Sequence, residues 1–280
     1  MTGDMLVLTG IGVMYILLFF CRSLLGWGKK ICVGEKMTGI GIAQTTGSRQ
    51  VQADVAQTWR NTAGTMAVLA DGIGSANTGA VSAQIAVDTI LDRFEPYYEL
   101  NDPSYFFKSA FLEASRRIQR TVNERRGGAS VGAVFLNHRY LYYAIAGDVR
   151  VALLRGDEVI PLSKGQTMDV LAAQAYEAGK ISRQDALWSA EEKRIWNYLG
   201  RDGFREIEVC EQPVLLKQGD KVLLASKGIF EELSWSEIED ILIDNAPPQK
   251  LAERMADEAE RKNNAQADNG SVILIQRLEA

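Results

Sequence analysis

Apolar and polar positions alternate along this chain with distinct periods, and each period predicts an element. Residues 36–44 and 51–58 read as strands. Met66–Ala70 is a short, wholly apolar run suited to a buried strand, and it ends abruptly in Asp71-Gly72-Ile73-Gly74. An apolar stripe at helical spacing follows, carried by Ala80, Ala83, Ile85, Ala86, Val87, Ile90 and Leu91, until Pro96 stops it. A second helix is expected after Asn101-Asp102-Pro103, where a proline in the first turn forfeits no hydrogen bond. It runs through Phe106, Phe107, Phe111, Leu112 and Ile118 towards Gly127-Gly128. The block ASVGAVFL, RYLYYAIAGD, VRVALLRG and EVIPL, broken by short turns at Asn137-His138 and Arg155-Gly156-Asp157, predicts an antiparallel meander.

Residues 166–200 return to helical spacing, with Leu171, Tyr176, Leu187, Trp188 and Trp196 expected as local core. Strands resume at Arg205–Glu211 and Lys221–Ala225. Ser234 with Glu237 three residues on is a capping box. Pro247-Pro248 then separates that helix from a charged amphipathic one at 250–263, and Ser271–Arg277 is the closing strand. Strands in runs with helices in pairs between them imply an α+β class, two packed sheets flanked by helices.

The N-terminus has a different character. From Met5 to Phe20 there is no charge until Arg22, and with Leu24, Leu25 and Trp27 the run reaches the ~20 residues that cross a bilayer. Asp4 precedes it and Arg22, Lys29 and Lys30 follow, unlike a cleaved signal peptide. The expected organisation is a single-pass anchor over 1–27, a linker over 28–35 and a cytoplasmic domain over 36–280 at the cell membrane.

Charge and composition narrow the chemistry. Lys+Arg 31 against Asp+Glu 36 leaves a net charge of −5, which argues against nucleic acid as a general partner. The three cysteines, Cys21, Cys32 and Cys210, form no disulfide or zinc spacing. The single histidine, His138, falls in a turn, so mechanisms needing two histidines are excluded. Gly39-Ile40-Gly41 and Lys164-Gly165-Gln166-Thr167 are fragments short of any nucleotide motif.

Carboxylates sit where apolar strands stop: Asp71, Asp148 and Asp268, with Asp54 in the second predicted strand. Charges at core strand ends need a partner or a metal, and oxygen-only donors favour Mg²⁺ or Mn²⁺. The glycine at 72 would let a backbone carbonyl approach an ion, although an aspartate before glycine equally marks a plain turn.

At these residues a family resemblance emerges. VLADGIGSANTGAVSAQIAVDTIL resembles the first core motif of the PPM/PP2C-type metal-dependent protein phosphatases. GGASVGAVFLNHRYLYYAIAGDVRVALLRGDEVIPLSKGQTM resembles their central sheet with its Gly-Asp-x-Arg turn. GDKVLLASKGIFEELSWSEI, ADNGSVILI and GSRQVQAD resemble the segments carrying the Ser-Asp-Gly, the closing Asp-Asn and the phosphate arginine, all in family order. The resemblance implies a β-sandwich flanked by helix pairs, a dinuclear Mn²⁺/Mg²⁺ centre, and hydrolysis of phosphoserine and phosphothreonine proteins. It implies Arg49 for phosphate, Asp71 and the Gly72 carbonyl for metal, Asp268 as terminal ligand beside Asn269, Asp148 at a third-metal position and Asp54 in a water-mediated role.

One position departs from the pattern. Ser226-Lys227-Gly228 stands where the family has Ser-Asp-Gly, so a metal-ligand aspartate is replaced by lysine, a local change of +2 in charge. The Lys227 ammonium is expected either to donate to Asp71 and Asp268 as a built-in counter-ion, or to face solvent while a neighbour such as Asp148 supplies the ligand. One ion rather than two, or none, is then expected. Two functions follow: a membrane-anchored phosphatase of weak or abolished turnover, or a pseudophosphatase that binds phosphoproteins. The expected partner is a phosphoprotein substrate or a cognate Ser/Thr kinase, with oligomeric state left open.

Overall fold

A computed structural model describes residues 38–122, 127–189 and 193–278. Its strands are β1 (Thr38–Thr45), β2 (Val55–Asn61), β3 (Gly64–Gly74), β4 (Gly127–Asn137), β5 (Tyr140–Ala146), β6 (Arg150–Arg155), β7 (Glu158–Pro161), β8 (Glu208–Val209), β9 (Val214–Leu215), β10 (Lys221–Ala225) and β11 (Gly270–Arg277). Its helices are α1 (Ala76–Phe94), α2 (Pro103–Val122), α3 (Met168–Glu177), α4 (Arg183–Ser189), α5 (Lys227–Phe230), α6 (Trp235–Ile243) and α7 (Pro248–Arg261). Two antiparallel sheets result, ordered β1-β11-β10-β6-β7 and β2-β3-β4-β5-β8, with β9 also paired to β5.

Strand alternation decides which side chains meet. In β3, Met66, Val68 and Ala70 face α1 and α2, whereas Ala67 and Leu69 face the other sheet. The same split runs through β11: Val272 and Leu274 face α6 and α7, and Ile273 and Ile275 point between the sheets. Both faces of these strands are therefore apolar, which is why MAVLA and SVILI read as unbroken hydrophobic runs. Phe94, Phe106, Phe107, Phe111 and Phe135 fill the layer under α1 and α2 with edge-to-face contacts, among them Phe94 to Phe135 at 5.5 Å. On the opposite layer α7 packs closely on β1 because Gly39, Gly41 and Ala43 leave its outer face flat. A Cβ at Gly41 would lie 2.3 Å from the Pro248 backbone.

Several expectations change. Asp54 precedes β2 and lies outside any strand. The strand expected at Arg205–Glu211 shrinks to β8, β9 was not foreseen, and the described residues of the 166–200 segment hold the helices α3 and α4. Leu171, Tyr176, Leu187 and Trp188 are exposed, Trp188 at 78%, so they form no local core. His138 is the exposed turn residue expected, with φ +50°.

The membrane localisation read from the apolar N-terminal run is corrected. No helix among the described residues is long and apolar enough to cross a membrane, and the expected span, residues 1–27, lies outside the described residues.

Candidate functional site

The predicted carboxylates converge at one end of the two sheets. β3 carries Asp71 and Gly72 opposite Ser130 and Ala129 of β4. Gly72 must lack a side chain, because a Cβ there would lie 2.4 Å from the Gly79 backbone in the first turns of α1. Ser75 caps that helix, its Oγ accepting from the Thr78 amide at 3.4 Å. In the other sheet, neighbouring β10 and β11 present Lys227 just after the one and Asp268 just before the other.

A cavity of about 570 Å³ opens where these ends meet. Arg49, Asp71, Gly72, Lys227 and Asp268 all line it, with Ser75, Ile195 and Asn269. Arg49 Nε lies 3.0 Å from Asp268 Oδ1. Asn269 secures the loop that carries Arg49, its Oδ1 accepting from the Ala53 amide at 2.8 Å and its Nδ2 donating to the Thr46 carbonyl at 3.0 Å.

The tripeptide 226–228 divides its labour by position. Ser226 is fully buried; its Oγ donates to Asp54 Oδ2 at 2.7 Å and accepts from the Ser271 amide at 2.8 Å. A Cβ at Gly228 would lie 2.2 Å from the Asn269 carbonyl oxygen, so this close approach needs glycine. Only residue 227 turns its side chain to the cavity. Lys227 Nζ pairs with Glu231 Oε2 at 3.6 Å, one turn along α5, while Asp268 is taken by Arg49. The helical i,i+4 spacing explains the choice of Glu231 over the expected Asp71 and Asp268. α5 itself went unforeseen, and with it this partner.

Asp54 and Asp148 stand back from that cavity. Asp54 is buried with its Oδ1 unpartnered, and burial pushes its carboxyl up to about 7 against the pull of the Ser226 hydrogen bond and the nearby Ser271 hydroxyl. Asp148 occupies the crossover from β5 to β6, its amide donating to Ser130 Oγ at 3.2 Å. Its carboxyl lies 2.7 Å from Arg150 Nη2, and the Arg150 guanidinium sits 5.1 Å from the centre of the Phe230 ring. Burial pushes Asp148 up to about 6, Arg150 pulls it back and Glu231 raises it. Asp148 lines a separate cavity of about 210 Å³ with Thr167, Asp169 and Glu231. Asp71 opens onto the larger cavity, yet its carboxyl is deeply embedded. Burial first, then Asp54 and Asp268, hold it well above the usual carboxylate range, and Lys227 partly counters them. Two cations, Arg49 and Lys227, thus share one cleft with Asp71, whose carboxyl favours its protonated form, an arrangement suited to a phosphate group.

Comparison with known proteins agrees with this architecture. The chain is 27% identical to the protein phosphatase PhpP of Streptococcus pneumoniae over 255 residues, which span 87% of this chain and 96% of that protein. The solved Streptococcus agalactiae serine/threonine phosphatase superposes with a TM-score of 0.76 at 20% identity, covering 86% of this chain and 100% of that one. The catalytic domain of the phosphatase PstP, solved in complex with two manganese ions, does so at 0.69 and 20%, covering 86% and 99%. At those identities the structures bear on fold alone. The family model for protein phosphatase 2C matches residues 45–266, a stretch running from the Arg49 loop through both sheets almost to Asp268, and this chain belongs to that family.

Proposed function

We propose that the domain over residues 36–280 acts on proteins phosphorylated at serine or threonine, as a phosphatase whose turnover Lys227 weakens or abolishes. The observation that carries this reading is the place of Lys227 on the same cavity as Arg49, Asp71, Gly72 and Asp268. A phosphate dianion entering there meets the planar fork of Arg49 and the ammonium of Lys227. It would draw them from their present carboxylate partners, Asp268 and Glu231. Because burial favours the protonated form of Asp71, that residue repels the dianion less than an ionised carboxylate would.

A two-ion manganese or magnesium centre of the kind named for PstP does not fit this donor set. Among the described residues no three His, Cys, Asp or Glu side chains are grouped to hold an ion. The carboxylates on the cavity are Asp71 and Asp268, with the ammonium of Lys227 beside them. This favours the second reading as well, a non-catalytic module that binds a phosphoprotein substrate or a Ser/Thr kinase through Arg49 and Lys227.

The test is turnover of a phosphothreonine peptide by the full chain with Mn²⁺, alongside Lys227→Asp and Asp71→Ala. The expected result is little or no turnover in the native chain and a gain of about tenfold or more in Lys227→Asp, since a metal site contributes several kcal/mol to such a barrier. Turnover confined to the variant selects the binding module. Strong Asp71-dependent turnover in the native chain, with no gain in Lys227→Asp, refutes the role given to Lys227.

A further inference from the structure

The outer face of α2 carries a charge pattern that neither the core nor the cleft uses. Lys108, Arg116 and Arg120 lie in one row at i, i+8 and i+12, separated only by Leu112, and all three are exposed. Arg116 and Arg120 are four residues apart, a spacing at which like charges destabilise a helix. Alongside them Arg93 and Arg117 share a single counter-ion, Glu113, through bonds of 2.5 and 2.6 Å. The groove these residues line measures about 700 Å³, and it holds five cationic side chains against one carboxylate. This concentration stands on a chain whose net charge is −5. Lys108, Arg116 and Arg120 have no ion pair among the described residues.

From this we infer that the α2 face is a docking surface for an acidic, extended polypeptide segment of a partner protein. The row from Lys108 to Arg120 spans about 18 Å at the helical rise, the reach of five or six residues of extended chain. Leu112 and the exposed ring of Tyr105 line the same groove and offer apolar contact between the charges. Asp88 and Asp92 border the basic row on the α1 side, beside Arg117 and Arg120, and would repel a wider polyanion such as a nucleic-acid duplex. The C-terminal end of α2 packs near the cleft end of the fold. Val122, closing α2, packs on Gly127, which is paired with Gly74, three residues beyond Asp71. No residue is shared between the groove and the cleft, and the inference does not rest on catalysis.

The experiment titrates the full chain into a fluorescein-labelled peptide of alternating Glu and Ser and into its Gln-Ser analogue at low salt, following anisotropy. A single-stranded oligonucleotide of matched charge runs as a third probe. The acidic peptide should bind and the neutral one should not. The combined Lys108→Glu, Arg116→Glu, Arg120→Glu variant should bind it about tenfold or more weakly, because three surface ion pairs are lost. The corresponding triple Gln variant should fall between them, and circular dichroism should show unchanged helix content in both. Absence of binding, equal binding by the variants, or tighter binding of the oligonucleotide would overturn the inference.

Discussion

Asp54 offers the sharpest measurement of what this cleft demands of the fold. Its carboxyl is pushed from 3.8 to about 7, with burial as the main cause, so the folded chain holds a proton that the unfolded chain has released. The stability this proton confers is fully present below about pH 4 and is lost as pH rises through about 7. A shift of roughly three units at about 1.36 kcal/mol per unit corresponds to ~4 kcal/mol, of which more than half falls between about pH 5 and 7. Asp54→Asn keeps an oxygen to accept from Ser226 Oγ and removes the charge. It also places an amide NH₂ where Oδ1 has no partner, a penalty of about 1–3 kcal/mol. Asp71 remains in both proteins and is itself relieved when the Asp54 charge is gone, which adds to the difference in the same direction. Urea unfolding in chelator from about pH 5 to 8.5 should show native stability falling steeply while the variant falls less. The variant should be the more stable above about pH 7.5 by ~1–3 kcal/mol after the amide penalty. Parallel pH profiles for the two proteins would refute the assignment of a buried, proton-retaining Asp54.

Two further substitutions probe how the fold supports the cleft. Asn269→Ala removes two of the bonds that hold the Arg49 loop, from the Ala53 amide and to the Thr46 carbonyl. Calorimetric affinity for a phosphothreonine peptide should fall about tenfold, with a stability loss of ~2 kcal/mol from the two released backbone groups. Gly41→Ala forces a methyl to within 2.3 Å of the Pro248 backbone and must push α7 off β1. A loss of at least ~2 kcal/mol in chemical unfolding is expected, with the cleft geometry and peptide affinity unchanged.

Much of this protein can be read from its residues alone, because the informative patterns are local. The helical stripe from Ala80 to Leu91, the capping box at Ser234 and Glu237, and the apolar runs before Asp71 and after Asp268 each depend on neighbours a few positions away. The order of short motifs then carried the family, since each strand end keeps its place in the chain whatever the surface does. The departure at Lys227 is likewise visible as a residue type in a fixed tripeptide.

What the chain could not disclose by itself depends on contacts between distant segments. Exposure of Leu187 and Trp188 depends on which distant segments pack against α4, which helical spacing does not report. The partner of Lys227 was settled by a short helix too brief to leave a periodic trace, and by Arg49 claiming Asp268 from more than two hundred residues away. The elevation of Asp54 and Asp71 arises because the loop before β2, the end of β3 and the start of β11 bring Asp54, Asp71 and Asp268 together, and burial desolvates the first two. Residue identity determines which groups can ionise; only the packing of two sheets face to face, with their carboxylate-bearing ends together, decides how much of their charge this fold can bear.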